Sequence, residues 1–87
     1  MRLPPTERRI LSLLSDGGPS YGLQLVQASS GRLKRGGIYV TLGRMEEKGL
    51  VSSTRQDDAR RIYELTGLGH RAIAALELLG DASRARS

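Results

Sequence analysis

Lys34 and Arg35 stand just before GGIYVTLGRMEEKG, and the residues around them have the types and spacing to meet a polyanion. Ile38, Leu42 and Met45 recur at i, i+4 and i+7, the spacing of one buried helix face. This spacing predicts a helix over about Gly36 to Lys48. Its opposite side then carries Gly36, Tyr39, Val40, Gly43, Arg44 and Glu47. A helix N-terminus is partially positive and its free N–H groups suit phosphate; Lys34 and Arg35 add full charges at that end. Glu46 and Glu47 fall in the last turn, away from it. A glycine inside a helix costs roughly 0.5–1 kcal/mol relative to alanine. Close approach of the backbone to a phosphate, a base edge or a packed neighbour would justify that cost. Gly36 and Gly37 are also consistent with a turn before the helix; Gly43 is not.

A second basic group, Arg55, Arg60 and Arg61, flanks the polar segment DDAR. These arginines fit contacts to a nucleic-acid backbone or minor groove. Asp57 and Asp58 must then pair with them or face away. Lys34 and Arg35 are expected at phosphates rather than bases, against the alternative of solvated loop charges. Tyr39 either reaches a phosphate or base with its hydroxyl or packs half-buried on the preceding helix. Arg44 either touches DNA or pairs with Glu47. Catalysis has no visible basis: there is no nucleophile elbow, phosphate loop or histidine-centred cluster. His70 stands alone and cysteine is absent, so no metal, cofactor or thiol chemistry is expected.

The elements that must hold these residues follow from periodicity. PPTERRILSLLSDGG predicts a first helix, with Thr6 as cap, Glu7 in the first turn, Ile10, Leu11, Leu13 and Leu14 inward, and Gly17–Gly18 as stop. PSYGLQLVQASSG predicts a short second helix capped by Ser20, with Tyr21, Leu25 and Val26 inward. Gly49 ends the third helix. LVSSTRQDDARRIYEL alternates and predicts a β-hairpin turning at DDAR. Thr66 is placed to cap a last helix whose apolar face holds Leu68, Ala72, Ile73, Leu76 and Leu79. Ile73, Leu76 and Leu79 serve either the core or a dimer, and Ala75 and Leu78 widen the apolar surface. The fold class is mainly α with a small β-hairpin: a winged helix-turn-helix over residues 1–80, followed by a disordered basic tail at 81–87. In that design the third helix enters the major groove and the hairpin lies along the backbone.

The chain has 87 residues, enough for one small domain, and lacks Phe and Trp, so its core must be aliphatic. Fourteen Lys and Arg against nine Asp and Glu give a net charge of +5, which suits a polyanionic partner. No apolar run approaches the ~20 residues of a membrane span and no signal region is seen. A cytoplasmic protein without membrane contact is expected.

LKRGGIYVTLGRMEEKGLVSS resembles the recognition-helix segment of PadR-type transcriptional regulators through Leu33, Gly36, Ile38, Tyr39, Leu42, Arg44, Met45, Glu46, Gly49, Leu50 and Val51. Upstream, Gly18, Pro19, Gly22 and Leu25 match that family's pattern; downstream, Arg60, Arg61, Tyr63, Leu65, Thr66, Gly69 and Ile73 do. Tyr21, Leu23 and Val40 depart from it, standing where the family often has His, Tyr and Pro. The resemblance covers about residues 8–76. It implies a sequence-specific DNA-binding regulator, most simply a repressor, that binds a pseudo-palindromic operator as a homodimer. Members usually dimerise through longer C-terminal helices, whereas little sequence follows Leu79 here. For some members the resemblance also suggests small aromatic or drug-like effectors. The readings left open are a winged-helix protein-interaction module and double-stranded RNA binding.

Overall fold

Proline opens the first helix. In the computed structural model, which describes residues 3–86 but not the side chains from residue 80 onward, α1 spans Pro5–Gly17. Pro5 occupies its first turn, where the missing N–H removes no bond. Thr6 therefore sits inside the helix rather than capping it; Pro4 holds the cap position, without a side-chain hydrogen bond. Ile10, Leu11 and Leu14 face inward, and Gly18, at φ 75°, returns its N–H to the Leu14 carbonyl at 2.9 Å.

The second helix, α2 (Gly22–Ala28), starts one residue later than a Ser20 cap would place it. Ser20 and Tyr21 instead form a two-residue strand, β1, and the Ser20 hydroxyl donates to the Gly18 carbonyl at 2.9 Å. The helix start is held by the Tyr21 N–H, which donates to Gln24 Oε1 at 2.7 Å. Leu25 is buried, while Tyr21 and Val26 are half-buried. Buried Ser29 ends the helix: its hydroxyl donates to the Val26 carbonyl and accepts from the Leu33 N–H.

α3 runs Ile38–Glu47, shorter at its start than the periodicity suggested. Gly36 and Gly37 form the turn before it, the second of the two sequence readings, with the Gly37 and Ile38 N–H groups both donating to the Lys34 carbonyl. Gly49, at φ 78°, stops it, a backbone state that glycine adopts without penalty.

The hairpin forms as the alternation requires: β2 (Val51–Arg55) pairs antiparallel with β3 (Arg61–Leu65), Val51 opposite Leu65 and Arg55 opposite Arg61. β1 adds to the far edge of β3, Ser20 opposite Tyr63, so the sheet order is β1-β3-β2. The last helix, α4, spans Gly67–Arg86, and the Gly69 N–H donates to Thr66 Oγ1 at 3.0 Å, the predicted cap. Its backbone continues beyond residue 80; the side chains of the expected tail lie outside the described residues.

The aliphatic core joins α1, α2, α3 and α4, with Leu42 and Met45 of α3 fully enclosed and Ala72 and Ile73 of α4 sealed against the rest. One buried charge links the first and third helices. Glu7, 2% exposed, accepts two hydrogen bonds from Lys48 Nζ at 2.8 and 2.9 Å, tying the start of α1 to the end of α3.

Candidate nucleic-acid interface

The packing of α3 sorts its residues onto two sides. Ile38, Leu42 and Met45 point into the core, each no more than 2% exposed. Tyr39 and Val40 face outward, 52% and 58% exposed, with Arg44 on the same side. Methyl groups added at Gly36, Gly37 or Gly43 would meet nothing within 4 Å. None of these three glycines thus serves close packing inside the protein.

Close approach is instead served by Gly22, where α2 begins. The Tyr39 ring lies across it, so a Cβ there would stand 2.7 Å from Tyr39 Cε1. Of the two arrangements considered from sequence, the structure shows the packing one. Its ring packs on the second helix, and half of its surface stays open.

Lys34 and Arg35 lie exposed in the turn leading into α3. Among the described residues, Lys34, Arg35, Arg44, Arg55 and Arg61 form no ion pair, so these cations face solvent uncompensated. The Arg44–Glu47 pair considered from sequence is not formed. At the other end of the helix, Glu46 accepts a hydrogen bond from Ser53 of β2.

The wing turn is built around Asp57. Its Oδ1 accepts the N–H groups of Ala59 and Arg60 at 3.0 Å each, and its Oδ2 accepts the Arg60 guanidinium at 2.8 and 3.0 Å. The Arg60 side chain beside it, with the Ala59 N–H, holds the Asp57 carboxyl below its ordinary range. Arg60 also stacks on the Tyr21 ring, 4.8 Å from its centroid, which fastens the wing to β1. The sequence grouped Arg60 with Arg55 and Arg61; its guanidinium pairs with Asp57 and stacks on Tyr21 while the side chain stays largely exposed. Asp57 pairs with a wing arginine, one of the two arrangements expected, and Asp58 makes no ion pair among the described residues.

An open cleft of about 390 Å³ brings Tyr39 and Tyr63 together with Arg55, Arg60 and Arg61, and with Asp57 and Asp58 of the wing turn, so the wing and the outer side of α3 share one concave surface of mixed charge. Burial pushes the Tyr63 phenol up, with the charge of Glu46 adding to the effect, and the ring forms a neutral floor. Lys34, Arg35 and Arg44 lie outside this cleft's lining.

Of the candidate dimer residues, Ile73 is buried in the chain's own core, because α4 packs on α1 through that side. Leu76 is half-buried, and Leu79 is exposed together with Leu78. Leu3, Leu68, Ala72, Ala75, Leu76 and Leu79 line an apolar groove of about 190 Å³ along α4. No helix among the described residues is long and apolar enough to cross a membrane.

The model of the transcriptional regulator PadR-like family matches residues 10–75. No curated protein sequence matches the chain. A PadR family transcription regulator from Clostridium difficile superposes with a TM-score of 0.79 at 26% identity, covering 90% of this chain and 88% of that one. RosR of H. salinarum superposes with a TM-score of 0.80 at 26% identity, over 94% of this chain and 76% of its own. A MarR family protein from Bacillus stearothermophilus shares the fold, with a TM-score of 0.84 at 23% identity over 99% of this chain and 59% of that one.

Proposed function

Because the chain belongs to the PadR-like family of transcriptional regulators, which are not enzymes, we propose that it acts by binding duplex DNA through α3 and the β2–β3 wing. α3 enters the major groove. Lys34 and Arg35 hold phosphates beside its N-terminal turn, and Tyr39, Val40 and Arg44 face the base edges. Arg55 and Arg61 follow the backbone from the wing, and Arg60 keeps the wing in place. The observation that carries this reading is the two-sided burial of α3. Its aliphatic side is enclosed, while Tyr39 and Val40 stand out beside uncompensated cations. Phosphate contacts by such cations supply affinity that falls as salt rises.

The protein acts as a homodimeric repressor on a pseudo-palindromic operator, with its two recognition helices roughly 34 Å apart. Exposed Leu78 and Leu79 and the groove on α4 support pairing through that helix. Selection of retained sequences from a random duplex pool, followed by gel shifts, tests the reading. A short sequence repeated with two-fold symmetry is expected, and Arg35→Ala should weaken binding to all sequences and lower the salt slope by about one. Binding unchanged at every salt concentration would remove Arg35 from the interface. Equal, salt-independent retention of every duplex would reject DNA binding.

A further inference from the structure

Val40 is 58% exposed and carries no hydrogen-bonding group. Its helical neighbours at i−3 and i+3 are Gly37 and Gly43, where an added Cβ would meet open space. The isopropyl group therefore projects between two bare stretches of backbone. Tyr39 is drawn to one side, over Gly22, and Arg44 stands one turn further along. Folding does not call for this arrangement. An outward valine adds nothing to the core and loses χ1 freedom in a helix, and Gly43 beside it lowers helix propensity.

Recognition does account for it. A side chain without donor or acceptor reads one feature of the major groove, the thymine 5-methyl group, by apolar contact. The glycines let the helix come close enough for a short side chain to reach. The single rotamer that a helix imposes on valine means that little freedom remains to be lost on contact. We propose that Val40 is a specificity-determining residue that reads thymine methyl groups in the operator half-site. Arg44, one turn along the same side, and Lys34 and Arg35 in the turn before α3 supply cations that match a polyanionic duplex. This inference rests on the DNA-binding reading and names the base feature that α3 selects.

Deoxyuridine in place of thymidine removes the methyl group and keeps the base pair. The test uses the full chain and the duplex it retains from a random pool, with each thymine of the half-site replaced in turn. At one or two positions the wild type should lose about threefold to fivefold in affinity, the amount expected for one methyl group withdrawn from apolar contact. Val40→Ala should bind the thymine and uracil duplexes equally and keep its salt slope. Val40→Thr, which exchanges one methyl for a hydroxyl, provides a second variant of the same shape. No uracil effect at any position, a retained half-site without thymine, or a uracil effect unchanged in both variants overturns the inference and leaves DNA binding standing. Failure of the wild type to bind any duplex in a salt-dependent way overturns both.

Discussion

The Tyr39 ring lies over Gly22 so closely that a methyl group on that glycine would stand 2.7 Å from Cε1 and 3.1 Å from the hydroxyl oxygen. The first residue of α2 thus sets where the outermost aromatic of α3 rests. Gly22→Ala should push the ring out of this seat. Tyr39 is half exposed and free to swing toward solvent, so stability should change by less than ~1 kcal/mol. Duplex affinity should fall by up to about tenfold, as for loss of one hydrogen bond, and to the same level as in Tyr39→Ala. Thermal melts beside binding titrations check this. A large stability loss with unchanged affinity would make Tyr39 a packing residue instead.

Gly43 and Gly69 should respond in opposite ways to the same change. At Gly43 an added methyl meets open space, so Gly43→Ala should stabilise the fold by roughly 0.5–1 kcal/mol through helix propensity. If α3 needs the open space at Gly43, the same variant should bind duplex more weakly despite being more stable. At Gly69 the methyl would run into the Leu50 carbonyl oxygen, a backbone atom with little freedom to move. Gly69→Ala should cost about 1–3 kcal/mol or more, the range for overpacking. Urea denaturation of the two variants separates a glycine kept for an outside partner from one kept for the fold.

The contrast between these glycines marks what the sequence could reveal. Periodicity placed α1, α3, the hairpin and α4, since each repeats its apolar residues at a fixed spacing along the chain. It also assigned the inward and outward sides of α3. It did not find β1, because two residues carry no period and exist as a strand only through pairing with Ile62 and Tyr63. It left Gly36 and Gly37 between the start of the helix and a turn before it, and the chain there turns through the Lys34 carbonyl. Close packing inside the protein, one of the reasons considered for Gly43, occurs instead at Gly22 and Gly69, whose neighbours are distant in sequence. Glu7 looked like an ordinary first-turn carboxylate, and its partner lies 41 residues away. Arg60 looked like its neighbours Arg55 and Arg61 until the wing turn brought Asp57 and Tyr21 to it.

The Glu7–Lys48 pair joins α1 to the end of the recognition helix. The carboxylate is buried, whereas the lysine side chain is 43% exposed. Lys48→Met leaves a buried charge without its partner, which is costly, although water near the lysine position softens the loss. A destabilisation of about 1–3 kcal/mol is expected. Pairing it with Glu7→Leu should recover most of that loss, because an apolar pair of similar volume fills the site without a charge. Chemical denaturation of the two single variants and the double variant measures the coupling. Additive losses would show that the pair does not act as a unit.

Asp57 and Arg60 give the wing a dependence on acid. The Arg60 guanidinium, with the Ala59 N–H, holds the Asp57 carboxyl below its ordinary value in the folded protein. A carboxyl that ionises lower when folded adds stability above its unfolded pKa, and that contribution is lost as pH falls through the folded pKa. The wing turn should therefore loosen only in acid below the usual carboxylate range, seen as faster exchange of the Ala59 and Arg60 amide protons. Asp57→Asn should remove that transition. The same pair predicts how binding responds to salt. The Arg60 charge is already matched by Asp57, so Arg60→Ala should reduce affinity by displacing the wing while leaving the salt slope nearly unchanged. Arg55→Ala and Arg61→Ala, each removing an uncompensated cation, should each lower the slope by about 0.9. Affinity measured across a potassium chloride series distinguishes the two kinds of arginine, and equal slopes for all three variants would return Arg60 to the phosphate-contacting group.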